Sequence, residues 1–247
     1  MSGAPSRPPV AARPVTTFIR RSPRMNDSQS AAWRRLGDRF LVPGLARGSM
    51  TPLFVPQPPI DLDALFGHPA PLLVEIGTGS GENLAAVAGE RPEWNLLGFE
   101  VYAKVLGSTM SRLERAGCTN VRLIDGDAVT GLQHLLAPGS ISELHTYFPD
   151  PWHKSRHAKR RLVNDDFAQL VATRLVPGGL WRLATDWPDY AAHIRKVFGS
   201  LPQFENVYPG GAPRDGTRPV TKFEARAVSE GRTVTDFVYA RIGQVQP

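Results

Sequence analysis

The chain has 247 residues, 41% of them apolar, with 23 Gly and 23 Pro, which suits one compact domain with a large buried core plus some irregular sequence. No apolar stretch approaches the ~20 residues needed to cross a bilayer. The start MSGAPSRPPVAARPV has Arg and Pro where a signal peptide would carry an apolar core, so a soluble, cytoplasmic protein is expected. A single cysteine, Cys118, cannot form an internal disulfide, and six scattered histidines offer no zinc-ligand spacing; no metal is expected.

The net charge of +6 is unevenly placed: +7 over residues 1–50, −6 over 51–145 and +5 over 146–247. An acidic middle between basic flanks suits a chain whose centre holds a cationic or hydroxylated small molecule while the flanks hold a polyanion.

Residues 1–15 are Pro/Arg-rich and acid-free, and read as a disordered tail. Residues 16–60 read as a basic extension contributing to RNA binding. Within it Arg20, Arg21 and Arg24 are candidate phosphate contacts, Asp27 or Ser28 caps a helix running to about Phe40, and PLFVPQPPI (52–60) is a connector. The body spans 61–247. Strands are predicted at 72–76, 95–100, 121–125, 141–148 and 180–185, with helical stretches at 82–89, 102–116, 128–136, 165–175 and 190–198. This alternation predicts a Rossmann-like, mostly parallel twisted sheet with helices on both faces. KFEARAV (222–228) and TVTDFVYARI (233–242), joined by SEGR, read as an antiparallel hairpin at the sheet's end.

The first strand runs into Glu75-Ile76-Gly77-Thr78-Gly79-Ser80-Gly81-Glu82. Glycines there let the backbone turn sharply and approach a ligand. The spacing is G-x-G-x-G, whereas the dinucleotide fingerprint is G-x-G-x-x-G. Glu75 would repel a pyrophosphate but favours an amino group or a sulfonium ion. Glu100, nineteen residues past Gly81, ends the second strand where a carboxylate takes two ribose hydroxyls. Asp127 follows the third strand, where it either meets an adenine amino group or caps the next helix. Together the three acids suit S-adenosylmethionine, which has no phosphate. A nicotinamide-dependent dehydrogenase lacks support in the loop spacing and in a hydride-transfer acid, and a purely RNA-binding protein would not require the acid set.

The fourth strand ends in Tyr147-Phe148-Pro149-Asp150-Pro151-Trp152-His153-Lys154. Two prolines stiffen the turn and hold Asp150 at the carboxyl edge of the sheet, where substrates sit. Residues 154–161 place five Lys/Arg in eight positions, which reads as phosphate binding by Lys154, Arg156, Lys159, Arg160 and Arg161.

The segments EIGTGSGENLA, LLGFEVY, GDAV, FPDPWHKSRHAKRR, ATDWPDY and RPVTKFEARA, in that order, resemble the bacterial tRNA (guanine-N7-)-methyltransferase family, and TTFIRRSPRMNDSQ resembles its usual start. The likeness runs from about Thr16 to Arg241; the Pro/Arg-rich tail and Ser22-Pro23 depart from it. It implies a Class I methyltransferase fold, S-adenosylmethionine as cofactor and methylation of a guanine in the tRNA variable loop, with no protein partner and a monomer expected. Carried across, the resemblance makes Glu75, Gly77, Gly79, Gly81, Glu100, Asp127 and Asp150 the cofactor residues, with Asp150 also the catalytic acid. Lys154, Asp186, Thr221, Lys222, Phe223 and Glu224 become the substrate contacts. Guanine N7 has a lone pair and no proton, so attack needs no general base, and the base should be held by its opposite edge. Asp150, Asp186 and Glu224 are the carboxylates available to accept from N1–H and the N2 amine.

Overall fold

Runs such as LLVEI and NLLGFE have no polar face, as parallel strands covered on both sides require. The computed structural model describes residues 17–18, 24–48, 52–216 and 218–243. Residues 1–15, Arg20 and Arg21 lie outside the described residues. The helices are α1 (Asp27–Phe40), α2 (Leu62–Phe66), α3 (Glu82–Glu90), α4 (Ala103–Arg115), α5 (Ala128–Leu135), α6 (Asp165–Arg174), α7 (Pro188–Gly199) and α8 (Lys222–Ser229). The strands are β1 (Leu72–Ile76), β2 (Asn95–Glu100), β3 (Val121–Asp125), β4 (Ile141–Tyr147), β5 (Leu175–Thr185), β6 (Phe204–Asn206) and β7 (Thr235–Arg241). They form one sheet in the order β3-β2-β1-β4-β5-β7-β6, with β7 antiparallel to both neighbours and the other pairs parallel.

Period-2 alternation divides the core. Leu72, Val74 and Ile76 of β1 join Leu97, Phe99 and Ile124 under α5, α6 and α7. Leu73, Leu96 and Leu123 face α1, α3 and α4. The N-terminal extension is built into this second layer. Asn26 caps α1 with a capping box through Gln29, where Asp27 or Ser28 had been expected, and Ala32, Leu36 and Phe40 pack toward α4. Gly107 is required at that crossing, since a Cβ there would lie 2.9 Å from the Gln29 carbonyl oxygen.

One predicted strand is corrected. The sheet does end in antiparallel strands, but β7 lies between β5 and β6, and residues 222–228 belong to α8. Thr221 caps that helix by accepting from Glu224 N at 3.3 Å. Its buried residues are Glu224 and Ala227, three apart as on a helix stripe and unlike the alternate positions of a strand.

Candidate active site

Strand order reverses between β1 and β4, the point where open α/β sheets bind ligands beyond the strands' carboxyl ends. A cavity of ≈ 270 Å³ opens there. Its lining includes Glu75, Gly77, Gly79, Glu100, Asp127 and Asp150, together with Thr221, Lys222 and Phe223 from the start of α8. Strand by strand, Asp127 follows β3, Glu100 ends β2, Glu75 lies in β1 and Asp150 follows β4. The acids therefore cross the cavity in the order of the sheet.

Gly77, Gly79 and Gly81 all have positive φ (77°, 52° and 76°), a region costly for residues with a Cβ. The turn is stitched to β2: Gly77 N and Thr78 N donate to Phe99 O at 2.9 and 3.2 Å. Gly81 is the N-cap of α3 and packs on Thr109; it supports the turn from beneath. Glu100 braces the same loop, its Oε2 accepting from Gly79 N (3.1 Å) and its Oε1 from Val101 N (2.8 Å) and Tyr102 N (3.1 Å). Burial pushes its carboxyl up from the usual range while those three donors oppose the shift. Asp127 caps α5, accepting from Thr130 N and Thr130 Oγ1, both at 2.9 Å, and also lines the cavity. Burial pushes Glu75 up to about 8, against the lowering effect of a hydrogen bond from Asn83.

Asp150 sits in a constrained turn. Phe148 and Trp152 on either side have φ of 51° and 45°, a conformation that costs non-glycine residues ~1–3 kcal/mol each and persists only where neighbours enforce it. Arg161 is one such neighbour. It was expected at a phosphate, yet it is 5% exposed, donates from Nε to Pro151 O at 3.0 Å, pairs with Asp189 and lies over the Tyr190 ring. The guanidinium is thus committed to the turn, to the Asp189 carboxylate and to the Tyr190 ring, unlike the exposed cations of the same run. Arg218, fully buried between the Tyr147 and Phe148 rings at 5.0 and 5.4 Å, supports the turn's other side. Lys154, Arg156 and Lys159 are exposed, on or beside a short 3-10 helix, Ser155–Arg160. Arg160 lies 5.0 Å over Trp152.

The three carboxylates offered for the guanine edge separate. Asp186 accepts from Arg232 Nε at 2.8 Å. Glu224 is buried and pairs with Arg214 at 2.7 Å and with Arg218 at 3.5 Å, which fastens α8. Asp150 lines the cavity. Sequence reading did not find Asn83, His145 and Glu143, which form a buried polar chain behind Glu75, because no spacing marks a helix residue and strand residues that meet only in the folded chain. Nor did it find Thr17 and Phe18 in the cavity wall, where Trp152 Nε1 donates to Thr17 O at 3.0 Å.

Sheet order, glycine turn and strand-end acids define a Class I methyltransferase fold. Solved structures agree at the level of fold: the 16S rRNA methyltransferase KamB aligns at TM-score 0.57 and 14% identity over 81% of this chain and 99% of that one. A family model described as "Putative methyltransferase" matches residues 69–237. The tRNA (guanine-N(7)-)-methyltransferases of Cutibacterium acnes and Nocardioides sp. are 47% and 44% identical, covering 94% of this chain and 85% and 89% of theirs; that of Nitrosomonas eutropha is 39% identical, covering 92% and 97%. The chain belongs to the tRNA (guanine-N7-)-methyltransferase family. Among the described residues no helix is long and apolar enough to cross a membrane, and no group of His, Cys, Asp and Glu could hold a metal ion.

Proposed function

We propose that this protein transfers the methyl group of S-adenosylmethionine to N7 of a guanine in the variable loop of tRNA, giving 7-methylguanosine, in the cytoplasm and as a monomer. The observation that carries the reading is the row of acids across one cavity, with Asp150 at its end in an enforced turn beside exposed cations.

The residues present fit the cofactor. Thr78 Oγ1 and Asn83 Oδ1, on residues of the cavity wall, are buried polar atoms with no partner, and a Cβ added at Gly77 would meet nothing within 4 Å. When bound, S-adenosylmethionine supplies an electrophilic methyl on a sulfonium. Glu100 would take the ribose hydroxyls, Asp127 would face the adenine side, and Glu75 would balance the cationic end. Guanine N7 attacks with a lone pair that bears no proton, so no side chain acts as base. Asp150 works by charge and orientation, countering the positive charge that develops on the guanine. Of the three carboxylates, Asp150 is the one in the cavity lining, which supports its role at the substrate. Thr221, Lys222 and Phe223 then form the far wall, while Lys154, Arg156, Lys159, Arg160 and the N-terminal Arg20, Arg21 and Arg24 follow phosphates.

The test is methyl transfer from labelled S-adenosylmethionine to bulk tRNA, with nuclease mapping of the product. One 7-methylguanosine in the variable loop is expected; methylation of another atom or no transfer would overturn the proposal. Asp150→Asn should bind the cofactor within a few-fold of wild type while single-turnover transfer falls by ~10² or more.

A further inference from the structure

The apolar layer formed by α1, α3 and α4 draws its strand residues from β1, β2 and β3. On the same face, β4 and β5 carry Glu143, His145 and Arg182, which form a polar row instead. Asn83, in the first turn of α3 and 3% exposed, joins this row to the cavity. Its Nδ2 donates to Glu75 Oε2 at 3.1 Å and lies 3.1 Å from His145 Nδ1. Since an amide nitrogen only donates, His145 Nδ1 accepts and its proton resides on Nε2, 2.8 Å from Glu143 Oε1. Glu143 also accepts from Arg91 at 2.8 Å and from Arg182 Nε at 2.6 Å, and Arg182 faces Asp215 at 3.5 Å. Burial holds His145 neutral by pushing its pKa down. Burial also opposes charge on Glu143, but His145 and the two arginines more than offset it and keep the carboxylate ionised. Both Asn83 donor hydrogens are thereby committed, the amide cannot flip without loss, and Oδ1 is the atom left over.

That atom has no partner, and neither does Thr78 Oγ1; both residues line the cavity at its β1 end. The next step rests on the cofactor reading above. S-adenosylmethionine has three kinds of donor: the adenine amine, the ribose hydroxyls and the α-ammonium. With adenine toward Asp127 at β3 and ribose at Glu100 on β2, the β1 position is left to the methionyl end. We propose that Asn83 Oδ1, with Thr78 Oγ1, accepts hydrogen bonds from the α-ammonium of S-adenosylmethionine, and that His145 and Glu143 are positioning residues that hold the Asn83 amide in the accepting orientation.

Calorimetric binding of S-adenosylhomocysteine and of 5′-methylthioadenosine, which lacks the amino-acid end, tests this. Asn83→Ala should weaken S-adenosylhomocysteine by about tenfold or more and leave 5′-methylthioadenosine within about twofold. His145→Phe should do the same to a lesser degree, with His145→Gln, which retains an acceptor and a donor, closer to wild type. An equal loss for both ligands, or no loss for either, would overturn the proposal. If Asn83→Ala does not fold, the wild type decides: S-adenosylhomocysteine and its deaminated analogue binding equally well would overturn it. A wild type that binds no S-adenosyl ligand would overturn the cofactor reading itself.

Discussion

Replacing Arg161 with Ala should slow methyl transfer without changing how tRNA binding responds to salt. The guanidinium is the donor to Pro151 O, and leaving a buried acceptor unsatisfied costs ~1–3 kcal/mol. Loss of the contact with the Tyr190 ring removes a further ~0.5–2 kcal/mol. The pair with Asp189 adds little, because that carboxylate's side chain is 71% exposed and screened by solvent. Released from this clamp, the strained Phe148 and Trp152 backbones relax and carry Asp150 with them. A displacement of about 1 Å is enough to cost ~10² in rate. Single-turnover methylation at saturating tRNA and S-adenosylmethionine should therefore fall by about that factor, with the log-log salt slope of tRNA affinity at its wild-type value. Arg156→Ala and Lys159→Ala, at exposed positions, should do the reverse, each flattening the slope by roughly 0.7–0.9 while sparing the saturated rate. An Arg161→Ala protein that loses salt dependence and keeps its rate would show that Arg161 is a phosphate contact after all.

Glu100→Ala should lower S-adenosylmethionine affinity by roughly ten- to a hundredfold, and should also lower the melting temperature because Gly79, Val101 and Tyr102 N–H lose their acceptor; unchanged calorimetric affinity would remove Glu100 from the site. Glu75, protonated below about 8 when buried, makes folding take up a proton, so its contribution to stability falls as pH rises from about 4.5 to about 8. A cationic cofactor favours the ionised form, so affinity should rise from pH 6 to 7.5 by up to about tenfold per unit with a proton released on binding, and Glu75→Gln should flatten the profile; a flat wild-type profile would mean Glu75 is already ionised. Gly81→Ala combines a φ of +76° with a Cβ 2.7 Å from Thr109 Cγ2 and should destabilise by ~1–3 kcal/mol, whereas Gly89→Ala, in α3 with open space around it, should stabilise by ~0.4–1 kcal/mol; matched melting temperatures for the two would contradict this.

Local chemistry made much of the molecule readable before any coordinates. Short β-rich runs marked β1 to β5, and the glycine spacing with acids at 75, 100 and 127 marked residues that the structure brings to one cavity, because each signal is local to its own strand end. Segments whose fate depends on distant partners were not readable in this way. KFEARAV alternates like a strand, yet Arg214 and Arg218 capture Glu224 and the Thr221 cap starts a helix. Arg161 belongs to a run of cations indistinguishable in sequence, and only packing on Tyr190 and Pro151 removes it from solvent. Asn83, His145 and Glu143 come together because β1 and β4, separated by three crossovers, are neighbours in register, with Glu75 opposite His145 and Asn83 at the start of the helix that follows β1. Sequence determined which groups the protein owns and which strand ends they occupy. Tertiary structure decided which charges remain available to a ligand, since burial and pairing depend on residues far away along the chain.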